Sequence, residues 1–198
     1  MTKRPALPRT VRAASLVFLL ALVLTGCASA TRDGQVALLY GDNATAATDF
    51  ETALATNPTS VSALVGLGIA RYRLGAFAEA DRALNDAIAQ SPDLPVAYLY
   101  LGLSALRRGQ DDEADAHFVR FSSFDVSARL TAYIDRTMRL LHTEPTSDEL
   151  RAYMADGIAD QAAWAGEVTQ AWDAASYARA SWYYSPSVYY VVRGCRCR

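Results

Sequence analysis

Lysine is nearly missing from this chain. It occurs once in 198 residues, at Lys3, so every later cation is an arginine; histidine occurs twice and cysteine three times. Residues 1–26 carry four bases (Lys3, Arg4, Arg9 and Arg12) and no acid, and without them 15 basic residues face 21 acidic ones. An acidic body argues against nucleic acid as a partner, because phosphate binding needs clustered positive charge. His117 and His142 lie apart and show no cysteine or carboxylate at ligand spacing, so no histidine metal site is expected. The chain has no glycine-rich phosphate loop, no nucleophile elbow and no paired-carboxylate motif. Asp111, Asp112 and Glu113 are adjacent acids, but at a helix N-terminus acids favour the helix dipole. The expectation is a protein with no catalytic residues, no cofactor and no metal.

What is present is apolar and periodic. Hydrophobic residues make up 52% and charged residues 20%, enough for a core and unlike a disordered chain. The stretch from Val61 to Pro92 reads as two helices joined at Gly75, the first with Leu64, Leu67, Gly68 and Ile69, the second with Ala80, Leu84, Ala87 and Ile88. Moving 34 residues on, Pro58 falls on Pro92, Leu67-Gly68 on Leu101-Gly102, Gly75 on Gly109, Ala80 on Ala114 and Leu84 on Phe118. Neither helix of a pair can bury its apolar stripe alone, so a repeat of this length implies a stacked solenoid. A partly eroded first copy precedes it: Gly41, Ala46, Phe50, Ala53 and Pro58 stand 34 residues before their counterparts, and its first helix is expected only around Gln35 to Tyr40, as an N-terminal cap.

These spacings resemble the tetratricopeptide repeat family over residues 33 to about 124. The resemblance rests on Leu64, Leu67 and Gly68 with Tyr98, Leu101 and Gly102 in the first helices, glycine at the turn, Ala-x-x-x-large-x-x-Ala in the second helices, and the closing proline. Small Gly68, Gly102, Ala80 and Ala114 let helices approach closely, and Leu84 and Phe118 fill the space between repeats. Departures are Arg71 and Ala105 at aromatic positions, Phe121 for a small residue and Val126 for the proline, so the third repeat's second helix is expected either to run on or to pack differently. In this family the first helices line a concave groove. The resemblance implies a lining of Val65, Ile69, Tyr72, Arg73, Leu99, Leu103, Leu106 and Arg107, with the two arginines at the rim. That surface suits a peptide with an apolar side and a carboxylate; alternatively, the chain's own C-terminal helices or tail fill it.

The leader has its own character. A basic segment to Arg12, an apolar run from Ala13 to Leu24 too short for a comfortable bilayer span, and small residues after it make a targeting signal. Leu24-Thr25-Gly26-Cys27 resembles a bacterial lipobox. The resemblance implies cleavage before Cys27, acylation there, and, with Ala28 rather than aspartate following, an address at the outer membrane facing the periplasm.

Beyond Val126 the period is lost. Leu130, Tyr133, Ile134, Met138 and Leu141 make one helical stripe over Ser127 to His142. Thr146 to Glu149 has the form of a capping box opening a helix toward Gly157, and Ala159 to Tyr183 reads as one or two helices with Gly166 as the interruption. The final residues, with Val188 to Val192 aromatic and β-branched, favour an extended tail. With Cys27 acylated, Cys195 and Cys197 remain for a disulfide or for intermolecular pairing; a bridge across one residue is strained, and two thiolates do not complete a zinc site.

The expected layout is therefore all-α: signal peptide 1–26, lipid-anchored linker 27–32, about three repeats in 33–126, C-terminal capping helices in 127–183 and an extended tail in 184–198. The leading functional reading is a membrane-tethered, non-enzymatic scaffold for an envelope protein or peptide, of undetermined oligomeric state. The other is a periplasmic thiol- or metal-handling accessory that uses the Cys-x-Cys tail.

Overall fold

A computed structural model of the chain describes residues 30–143 and 146–183, with side chains as far as 166 except at 164. Every regular element among them is a helix: α1 (30–39), α2 (Asn43–Thr56), α3 (Val61–Arg73), α4 (Phe77–Gln90), α5 (Pro95–Arg107), α6 (Asp111–Ser122), α7 (Ala128–Thr143) and α8 (Asp148–Tyr183). They form two compact units, divided between Asp125 and Val126.

In the first unit, three successive turns are cut to one pattern. Gly41, Gly75 and Gly109 have φ of 77°, 77° and 72°, a left-handed conformation that costs a residue with a Cβ about 1–2 kcal/mol. At the middle turn Gly75 N–H donates to the Tyr72 carbonyl at 2.9 Å and Ala76 N–H to the Arg71 carbonyl at 2.9 Å; Gly41 with Asp42 and Gly109 with Gln110 repeat it. These paired bonds close the helix end and reverse the chain. At the other connections, Asn57 (φ −133°, ψ 87°) and Ser91 (φ −144°, ψ 103°) leave the helical region just before Pro58 and Pro92, as the proline ring favours, so α2 and α4 stop there.

Packing follows the period as well. Phe50, Leu84 and Phe118 are 0%, 0% and 2% exposed. A Cβ added to Gly68 would lie 2.5 Å from Leu84 Cγ, and one on Gly102 would lie 2.6 Å from Phe118 Cε1. Leu84 and Phe118 therefore seat against the first helix of their own repeat. Phe50 reaches two glycines, Gly34 in α1 and Gly66 in α3, and so also bridges to the next repeat. α3 packs against α4, α5 against α6, and α2 and α4 each against the first helix that follows. α3 also touches α5, whereas no comparable packing joins α2 to α4 or α4 to α6 among the described residues. The first helices thus form the tighter, inner layer of the stack.

α1 departs from expectation: it starts at residue 30, inside the stretch read as linker, and ends at 39. Gly34 accommodates the Phe50 ring and Ala37 is buried, so packing on α2 holds the helix several residues earlier than its apolar content suggests. The third repeat's second helix does not run on, and it packs on α5 as α4 packs on α3. It ends at Ser122, where Ser123 N–H donates to Val119 and Arg120 carbonyls, and Phe121 is buried where the two preceding repeats bury Ala53 and Ala87.

In the second unit, α7 buries Leu130, Ile134, Met138 and Leu141, and Tyr133 is half-buried beside them. α8 is one helix of 36 residues, broken at neither Gly157 nor Gly166. Gly157 is a contact residue: a Cβ there would lie 2.7 Å from the Tyr133 hydroxyl. A mid-helix glycine costs about 1 kcal/mol, too little to end a run of alanines and other helix formers. The cap is Ser147, whose Oγ accepts the Leu150 N–H at 3.3 Å, one residue later than Thr146 in the expected box. No helix among the described residues is long and apolar enough to cross a membrane.

Candidate functional site

The inner layer of α3 and α5 holds every residue of the expected groove, but its side chains fall into three sets. Val65 and Ile69, one turn apart on α3, are half-buried and keep apolar surface accessible. Tyr72, Leu99, Leu103 and Leu106 are 7%, 4%, 0% and 0% exposed, and so belong to the core. Tyr72 stands edge-on to Tyr100 at 5.3 Å and tilted to Phe77 at 5.8 Å. α5 packs on α3, α4 and α6 at once, which explains why an unbroken run from Leu99 to Leu106 is buried.

The two arginines form the third set. Arg73 Nη1 donates to the Leu38 carbonyl at 3.0 Å, closing the last turn of α1. The Arg107 guanidinium lies 5.6 Å from the Phe77 ring centre, a cation–π distance. Each therefore joins neighbouring elements, and the picture of two free forks stacked at a rim is replaced by two structural cations. Arg73, one helical turn after Ile69, remains exposed, and Arg107 is half-buried.

A polar network that the repeat pattern does not signal runs along the outer helices. Arg108 Nη2 pairs with Asp81 Oδ2 at 2.7 Å and lies 3.8 Å from Glu113, which stands 3.9 Å from His117 Nε2. Glu113 is one helical turn before His117, so a carboxylate does stand beside this histidine, contrary to the sequence reading. The sequence signal available was that i to i+4 spacing. Burial holds the His117 pKa below the usual 6.5, opposed by the carboxylates of Glu113 and Asp81 and reinforced by Arg108. At the end of the array, the Arg120 guanidinium sits over Phe124 at 4.6 Å and Tyr98 at 5.4 Å, with Asp93 at 3.6 Å. These contacts join α5, α6 and the turns flanking them. Among the described residues, no group of three or more His, Cys, Asp or Glu could hold a metal ion. Cys27, Cys195 and Cys197, together with the leader and the extended tail, lie outside the described residues.

Two family models, each described as tetratricopeptide repeat, match residues 37–100 and 96–123. No curated protein matches the chain. Among solved structures, the TPR2B domain of yeast Sti1, in complex with pHsp70, is similar at 15% identity and a TM-score of 0.51, over 67% of this chain and 98% of that one. The first TPR domain of human RPAP3 is similar at 17% identity and a TM-score of 0.47, over 71% of this chain and 95% of that one. At such identity the likeness to the yeast domain is one of fold.

Proposed function

We propose, on the premise that residues 37–123 are tetratricopeptide repeats, that the protein is a non-enzymatic scaffold that binds a protein or peptide partner and is held at a membrane through an acylated Cys27. Repeats of this kind generally mediate protein–protein interaction. The observation that carries the reading here is the half-buried Val65 and Ile69 strip on the inner layer, flanked by Arg73. Apolar surface one helical turn apart with a cation beside it fits the apolar side of a helix or extended peptide ending in a carboxylate. The lipobox-like register of Cys27 supports an envelope address, and Ala28 supports the outer membrane. Under this reading the partner is an envelope component, and the anchor confines the search for it to a surface.

The test is affinity capture from native envelopes with photochemical cross-linking. Val65→Glu with Ile69→Glu should remove the captured partner while shifting the melting temperature by no more than a few degrees, roughly what half-buried positions cost. Unchanged capture by the folded double variant contradicts the binding surface. Cys27→Ser should move the protein to the aqueous phase of a detergent partition, and equal membrane retention of both forms contradicts the anchor.

A further inference from the structure

We infer that α1 is a membrane-facing helix whose outer side rests on the lipid surface beside the anchor. The inference rests on the acylation of Cys27 proposed above. Helical spacing puts Arg32, Val36 and Leu39 on one side of α1, opposite Gly34 and Ala37, which pack against Phe50. Val36 is 44% exposed, Leu39 83%, and Tyr40, just past the helix end, 85%. Three large apolar side chains thus point away from the array at its N-terminal end.

Three features choose lipid as the occupant. Cys27 precedes α1 by only three residues, a reach of about 10 Å even when fully extended, and α1 itself is about 15 Å long. Its whole outer side therefore lies within a short distance of any bilayer that holds the acyl chains. A strip of three side chains falls well short of the roughly 800 Å² per partner that a stable dimer needs, which weighs against a second copy. A tethered helix needs no such area, because the anchor keeps its local lipid concentration high. The chemistry also fits an interface: Tyr40 has an apolar ring with a polar tip, and Arg32, between Val36 and Leu39 on the same side, can extend its guanidinium to lipid phosphate. The Arg73 bond to the Leu38 carbonyl fixes the far end of α1 to α3, so contact along α1 would also orient the array relative to the membrane.

Full-length, acylated protein carrying Leu39→Trp, with Ala89→Trp on α4 as the comparison, tests this in vesicles of phosphatidylethanolamine and phosphatidylglycerol with and without brominated acyl chains. The parent's emission from its three tryptophans is subtracted. Emission from position 39 should drop by roughly half in brominated vesicles, since interfacial side chains sit at the headgroup and acyl boundary, and emission from position 89 should not change. Emission at 39 that is unquenched, or blue-shifted alike with and without bromine, in protein that floats with the vesicles overturns the inference and leaves the anchor standing. Protein that does not float overturns both.

Discussion

Leu84 and Gly68 form the contact on which the repeat depends, since the leucine's branch carbon occupies the space a Cβ on residue 68 would need. Leu84→Ala should cost about 2–5 kcal/mol in chemical denaturation, the range for a fully buried leucine, and Gly68→Ala about 1–3 kcal/mol from overpacking. Because each change relieves the other, the double variant should be clearly less destabilised than the sum, whereas an additive cycle would mean the two do not touch. Gly66 shows the same logic with the sizes exchanged: it accommodates Phe50, while the position one repeat later is Tyr100, where the residue equivalent to Phe50 is the smaller Leu84. His117 makes a prediction in pH. Its folded pKa lies below 6.5 because burial disfavours the cation, so the unfolded chain binds the proton more readily. The resulting stability is present above about pH 6.5 and is lost as pH falls through the folded pKa. His117→Gln should therefore flatten the decline in unfolding free energy between neutral pH and about pH 5; an equally steep decline would assign it to other groups.

At the scale of helices, the turns were legible and the extents of α1 and α8 were not. Gly75 and Gly109, the prolines after α2 and α4, and the stripe of α7 are local signals, and the helices begin and end where those residues dictate. α1 and α8 escaped the pattern for opposite reasons. The first half of α1, Ala30 to Gly34, has little apolar content and is held by the Phe50 ring against Gly34; α8 contains two glycines that look like breaks, one of which is a contact with Tyr133. The groove was half legible: the repeat frame identifies the inner layer, but it does not reveal that α5 is wrapped on three sides, nor that Arg73 and Arg107 serve neighbouring elements. Arg73 gives the element-scale prediction. Removing its bond in Arg73→Ala should cost about 0.5–1.5 kcal/mol, and the loss should appear as faster amide exchange across 34–39 with little change in α5. Uniform acceleration over the first unit would mean the bond is not local to α1.

For the whole molecule, the scarcity of lysine has a practical consequence. Amine-reactive cross-linkers can reach no side chain beyond Lys3, so a partner must be sought by photochemistry. The central claim is that the inner layer of the repeats, and not their outer helices, receives a partner at the membrane. The direct measurement places a photoreactive residue at Ile69 on α3 and, separately, at exposed Asn85 on α4, and irradiates intact envelopes. The account predicts a discrete adduct of higher mass from position 69, confined to the membrane fraction, and none from position 85. Equal adducts from both positions, or none from either in folded protein, would contradict it.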